Sequence, residues 1–120
     1  MRIVIDLDGV LCPIKKPGET YADLPPLPGA AERLRELRRA GHYLIITTAR
    51  NMATCESNLG KVLKNVGRIT LEWLEKHGME YDEIYFGKAN AEIYIDDRAI
   101  RFTNWAVLTD EMLNSHARER

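Results

Sequence analysis

Four short apolar runs, each stopping abruptly at polar side chains, constrain this chain more than any other feature. They are Arg2-Ile3-Val4-Ile5, Tyr43-Leu44-Ile45-Ile46, Ile84-Tyr85-Phe86 and Ile93-Tyr94-Ile95. Near-continuous apolar character over so few residues fits strands covered on both faces, as in parallel sheets. Between the runs lie helical patterns. Ala30, Leu34 and Leu37 keep helical spacing, with Pro28 as a first-turn residue and Gly41 as a terminator, which predicts a crossover helix over 29–40. Ile69, Trp73 and Leu74 mark a second apolar helix face that stops at Gly78, ahead of strands near 83–86 and 92–96. A last helix is expected from Asp110, ending in a solvated tail, Ala117-Arg118-Glu119-Arg120. Alternating strands and helices require a parallel sheet, here in a three-layer α/β/α arrangement.

In such sheets ligands bind at the carboxyl ends of the strands, and every apolar run leads there into polar residues. The first reaches Asp6-Leu7-Asp8-Gly9, the second Thr47-Thr48-Ala49-Arg50, the third Gly87-Lys88 and the fourth Asp96-Asp97. Singly, each has an ordinary structural explanation: a solvated turn, a helix N-cap, a solvated lysine, an acidic turn. Together, in the order Asp-x-Asp, Thr, Lys, Asp-Asp, they resemble the four motifs of the haloacid dehalogenase (HAD) superfamily of phosphohydrolases. The stretches Ile46–Met52 and Tyr94–Ala99 are similar to the small, capless capsule-biosynthesis phosphatases, a subfamily tied to bacterial surface polysaccharides, and the similarity spans roughly residues 1 to 105.

The resemblance implies a Rossmann-like, HAD-like fold without a cap domain and a phosphomonoester hydrolase. A phosphomonoester hydrolyses extremely slowly unaided, so charge on its oxygens must be neutralised, a nucleophile held in line and the leaving oxygen protonated. Asp6 is the implied nucleophile, forming an aspartyl-phosphate, and Asp8 the general acid and then base. Gly9 permits a sharp turn, after which backbone N–H groups, those of Leu7 and Gly9 among them, can cradle phosphate oxygens. Thr48 and the Ala49 amide are expected on the phosphoryl oxygens, and Lys88 beside the nucleophile. Thr47 is one residue out of phase and structural. A hard cation, Mg²⁺, is expected on the Asp6 carboxylate, the Asp8 carbonyl and one carboxylate of Asp96-Asp97, with Asp97 the direct ligand by the alignment.

Composition agrees with one small enzyme domain over 1–120. Of 120 residues, 45% are hydrophobic, enough for one core and too few for a second. Seventeen basic against eighteen acidic residues leave a formal charge of -1, which gives no general attraction to nucleic acid or membrane. No apolar run approaches spanning length and no secretory leader is recognisable, while Cys12 and Cys55 are too few for a disulfide framework. A cytoplasmic enzyme with a small phosphorylated metabolite as partner is therefore expected; a symmetric homo-oligomer is expected only on general grounds.

All five prolines fall between Pro13 and Pro28, in the connection of about 9–28. In the superfamily this connection carries the flap over the site, and Lys15, Lys16 and Tyr21 ride on it. The polar stretch of about 51–68 reads as a solvated, partly helical excursion, with Arg50 and Asn51 the residues nearest the site for substrate recognition. Only seven residues separate Lys88 from Asp96, so the lysine must reach in from a short loop. Two rival readings remain in view. A receiver domain would place its paired acids at the first strand and its phosphoacceptor at the third, the reverse of the order here. A phosphotransferase or phosphomutase would use the same aspartate with a different acceptor, and needs water excluded from the site.

Overall fold

The computed structural model describes residues 1–118, and in it three of the four apolar runs form strands: β1 (Arg2–Asp6), β2 (Tyr43–Thr48) and β3 (Glu83–Phe86). Glu119 and Arg120 of the expected tail lie outside the described residues. The strands pair in parallel in the order β1-β2-β3, with Asp6 opposite Thr47 and Thr48 opposite Phe86. That register brings all three carboxyl ends to one edge. Past the last strand pair, the Lys88 amide donates to the Thr48 carbonyl at 3.1 Å and draws Lys88 to the same edge.

Helix α1 (Ala30–Arg39) connects β1 to β2 and buries Ala30, Leu34 and Leu37. It starts one residue later than predicted, because Gly29 at φ 83° forms its cap and Pro28 stands ahead of that cap. Between β2 and β3 the chain runs through α2 (Leu59–Val62), a π-helical turn (Leu63–Gly67) and α3 (Arg68–Lys76). Helix α4 (Asp110–His116) is capped by the Thr109 hydroxyl, which accepts from the Met112 amide, and is tied to α1 by an Arg33–Asp110 ion pair at 2.6 Å.

The core gathers Ile5, Leu44 and Ile46 from one sheet face with Leu34 and Leu37 of α1 and Trp73 and Leu74 of α3. The fold is thus a Rossmann-like parallel α/β unit. On the opposite face only Ile45 is buried; Val4 is 63% exposed, and Tyr43 and Tyr85 are also open to solvent. The coverage expected on both faces of β1 therefore holds on one.

The fourth run forms no strand, and this corrects the expectation for 92–96. Ile93, Tyr94 and Ile95 are exposed, Ile95 to 97%. The reason is connection length. A strand parallel to its predecessor requires a crossover of a dozen or more residues, and only 87–91 intervene between β3 and the expected start. Instead the chain turns at Gly87 (φ 101°) and closes on itself, the Tyr94 hydroxyl donating to the Ala89 carbonyl.

The proline-rich connection is not a free-standing flap either. Leu11, Cys12 and Leu24 are buried, and two indoles hold the backbone down: Trp73 Nε1 donates to the Leu24 carbonyl and Trp105 Nε1 to the Val10 carbonyl, both at 2.7 Å. The 51–68 stretch is helical in its second half, as expected, but it is not merely solvated. Met52, Cys55, Val62 and Val66 form a second small core against Ile69 and Phe86. Among the described residues no helix is long and apolar enough to cross a membrane.

Trp73→Phe removes the donor that satisfies the Leu24 carbonyl, an omission that costs about 1–3 kcal/mol for a buried group. Urea unfolding should show that loss, with a lowered midpoint and an unchanged slope.

Candidate active site

At the shared strand edge a cavity of about 200 Å³ is floored by Asp6, Asp8, Ala49 and Lys88. Its outer wall is the loop after β3, through Ala89, Asn90, Ala91 and Tyr94. Asp6 ends β1 with its Oδ1 accepting from the Leu7 amide at 3.0 Å and its Oδ2 facing Lys88 Nζ at 3.3 Å. The lysine ammonium also lies 4.6 Å above the ring of Tyr94. A carboxylate restrained at one oxygen and charge-matched at the other is fixed in orientation and still accessible to the cavity.

Lys88 owes its place to a close packing contact. A Cβ added at Gly87 would stand 2.7 Å from Leu59 Cδ2. Helix α2 therefore presses against the residue preceding Lys88, and only glycine fits there at positive φ. By this contact the 51–68 stretch bears on the site although it does not line the cavity.

Asp8 is the most heavily engaged group. Arg50 Nε donates to both of its oxygens, at 3.0 and 3.2 Å, and the Thr48 hydroxyl donates to Oδ2 at 3.1 Å. The Cys12 thiol lies 3.6 Å from Oδ1. The Arg50 side chain is 1% exposed, and removing one partner of such a buried pair typically costs about 3–5 kcal/mol. Burial in this cluster, followed by the charge of Asp8, raises the Cys12 thiol from its ordinary 9.0 to about 11. Burial and the Asp8 charge likewise raise the Tyr21 phenol.

Several expected substrate contacts are engaged elsewhere. The Leu7 amide serves the Thr47 carbonyl and Asp6, and the Gly9 amide the Cys12 carbonyl at 2.7 Å. Val10, Leu11 and Cys12 amides all turn onto the Leu7 carbonyl, so these donors are engaged within the turn. Thr48 is buried, its hydroxyl donating to Asp8 and accepting from the Arg50 amide at 3.1 Å. Arg50 points inward to Asp8 and not into the cavity. Asn51, at φ 60°, braces its own loop, its Oδ1 accepting from Asn65 Nδ2 at 3.4 Å. Tyr21 stacks on the Arg50 guanidinium at 4.1 Å, and Lys15 lies over its other side at 5.5 Å. The cavity wall is thus the 89–94 loop and not the flap.

Asp96 and Asp97 stand exposed in the loop beyond Tyr94, with Asp96 Oδ1 accepting from the Arg98 amide at 2.7 Å. Among the described residues no three His, Cys, Asp or Glu side chains cluster as a metal cage. Beyond the Asp96-Asp97 carboxylates of that loop, a cation is offered the Asp6 carboxylate and the Asp8 main-chain carbonyl at the strand edge. Both are hard oxygen donors, which suits Mg²⁺, an ion commonly held by one or two carboxylates with waters and phosphate completing its shell.

Tyr94, Cys12 and Thr70 were not singled out for the site from sequence. Tyr94 reads as a strand residue and Cys12 as an inert thiol. Thr70 had one signal, a lone hydroxyl in the apolar stripe of Val66, Trp73 and Leu74.

One family model covers most of the chain. Residues 14–120 match the family model described as 5' nucleotidase, deoxy (pyrimidine), cytosolic type C protein. A crystal structure of a structural-genomics target from Vibrio cholerae is 38% identical over 95% of this chain and 94% of its own, with a TM-score of 0.85. A crystal structure of D,D-heptose 1.7-bisphosphate phosphatase from B. bronchiseptica, complexed with magnesium and phosphate, is 20% identical over 71% of this chain and 48% of its own, with a TM-score of 0.49. No curated protein matches.

The raised thiol gives a pH test. A folded-state value near 11 against 9.0 means the folded protein holds this proton more tightly, so the stabilisation is complete below pH 9.0 and is lost as pH rises toward 11. Denaturation series should show a steeper decline above pH 9 in the parent than in Cys12→Ala, where only the raised Tyr21 phenol remains of this pair, and iodoacetamide should leave Cys12 unmodified at pH 8 in the folded state.

Proposed function

We propose, from the premise that this chain belongs to the 5' nucleotidase, deoxy (pyrimidine), cytosolic type C family of HAD-like phosphatases, that it hydrolyses a small phosphomonoester through Asp6. The observation that carries the reading is the Asp6–Lys88 pair at 3.3 Å on the floor of a cavity that also holds Asp8. A carboxylate oxygen of Asp6 attacks phosphorus, the bond from phosphorus to the ester oxygen breaks, and Asp8 delivers a proton to the departing alcohol. Lys88 offsets the charge that accumulates on the transferring group. Water then attacks the aspartyl-phosphate with Asp8 as base, the phosphorus to Asp6 bond breaks, and phosphate leaves. Mg²⁺ on the Asp6 carboxylate and the Asp8 carbonyl would lower the repulsion between a carboxylate and a phosphate dianion.

The cavity is small and walled mostly by alanines, Asn90 and one tyrosine, which favours a compact leaving group. A sugar or polyol phosphate of surface-polysaccharide synthesis fits that description. A second substrate class, 5'-deoxynucleotides, is favoured by the family match over 14–120. Phosphate release from a panel containing both classes separates them, and transfer to an added alcohol in place of water would mark a phosphotransferase.

Asp6→Asn keeps the shape of the side chain and removes its nucleophilicity, so turnover should fall by at least about 1,000-fold with an unchanged circular dichroism spectrum. Activity within about tenfold of the parent would overturn the assignment. Chelation should abolish turnover and Mg²⁺ restore it, whereas Ca²⁺, which prefers more ligands at longer distances, should compete with Mg²⁺ and inhibit.

A further inference from the structure

We propose that Arg50 is a positioning residue for Asp8, anchored by Thr70 and Tyr21, and that its guanidinium makes no contact with the substrate. The proposal rests on the phosphatase reading above and concerns how that reaction's proton-transfer group is held.

Every polar edge of the guanidinium is already assigned. Nε serves both oxygens of Asp8, Nη1 donates to the buried Thr70 hydroxyl at 3.1 Å, and Nη2 reaches Cys12 Sγ at 3.5 Å. One flat face is covered by the Tyr21 ring at 4.1 Å. Each guanidinium nitrogen thus has a protein partner, and with its side chain 1% exposed Arg50 is closed off from solvent. These partners come from three separate parts of the chain: the turn after β1, the proline-rich connection and helix α3.

The geometry suits positioning. A carboxylate on a short turn can rotate about two bonds, and a misplacement of about 1 Å in a proton-transfer group can cost about 100-fold in rate. Nε contacts both Asp8 oxygens while Thr48 holds Oδ2 from a second direction, which defines the plane of the carboxylate. The Arg50 amide donates to the Thr48 hydroxyl, so one residue orders both holders of Asp8. Lysine cannot replace it, because an ammonium is a point donor without the planar fork that spans Asp8, Thr70 and Cys12 and stacks on Tyr21.

Two esters that differ in their need for a proton provide the test. In the phosphoryl-transfer step an alkyl phosphate, such as glycerol phosphate, leaves as a strongly basic alkoxide and depends on the Asp8 proton, whereas para-nitrophenyl phosphate leaves as a stable anion and does not; the hydrolysis step, with Asp8 as base, is common to both. In single-turnover release of the alcohol, which reads the phosphoryl-transfer step alone, Arg50→Ala should slow the alkyl ester by about 100-fold and the nitrophenyl ester by about tenfold or less, with KM within about threefold for both. Arg50→Lys should behave as Arg50→Ala, and added guanidinium ion should restore part of the alkyl-ester rate in Arg50→Ala alone. In an Asp8→Asn background Arg50→Ala should cause no further loss. A rise in KM with kcat preserved would make Arg50 a substrate-binding residue and overturn the proposal, as would equal losses on both esters or additivity with Asp8→Asn. If Arg50→Ala does not fold, Thr70→Val, which removes only the anchor, should show the same ordering at about three- to tenfold on the alkyl ester; no discrimination there would also overturn it. An inactive parent would instead refute the phosphatase reading.

Discussion

An arginine removed from water has to find its whole hydration shell replaced by protein, and much of this molecule is arranged around doing so for Arg50. Its guanidinium meets Asp8, Thr70, Cys12 and the ring of Tyr21. Those contacts join the turn after β1, the end of β2, the first half of the proline-rich connection and α3. None of these segments can shift alone without stranding a buried charge, a penalty of several kcal/mol. The same contacts orient Asp8 beside Asp6, so the constraint that organises the interior also prepares the site.

The two tryptophans complete this arrangement. By donating to the Leu24 and Val10 carbonyls they hold the connection 9–28 against the core and place Tyr21 over Arg50. Five prolines reduce the freedom of that connection before folding, so less entropy is lost when it docks. Near Lys88 the side chain of Leu59, from α2, packs on Gly87 and brings that helix to the strand edge. Asp6 thus pairs with Lys88 at the cavity floor and Asp8 with the buried Arg50.

The loop after β3 has the opposite character. It carries three exposed apolar residues and the Asp96-Asp97 pair, and its contact with the site runs through Tyr94, over the Lys88 ammonium. A cavity bounded on one side by a braced core and on the other by an exposed loop can admit leaving groups of different shape while the phosphoryl end stays fixed.

Much of the architecture was legible from the sequence because local patterns carry it. Apolar runs and helical spacing located three strands and the helices α1 and α3 within one or two residues, and the polar strand ends pointed to the edge where Asp6, Asp8 and Lys88 meet. Residue order could not reveal the inward turn of Arg50, the burial of Thr48 or the stacking of Tyr94 on Lys88, since each depends on partners far away in the chain. The fourth run shows the limit most plainly. Its composition is that of a strand, but strand formation needs a partner within reach, and the short connection after β3 denies it one. Local chemistry determined which residues could do phosphoryl transfer; only the packing around Arg50 and the length of one loop decided which of them came together.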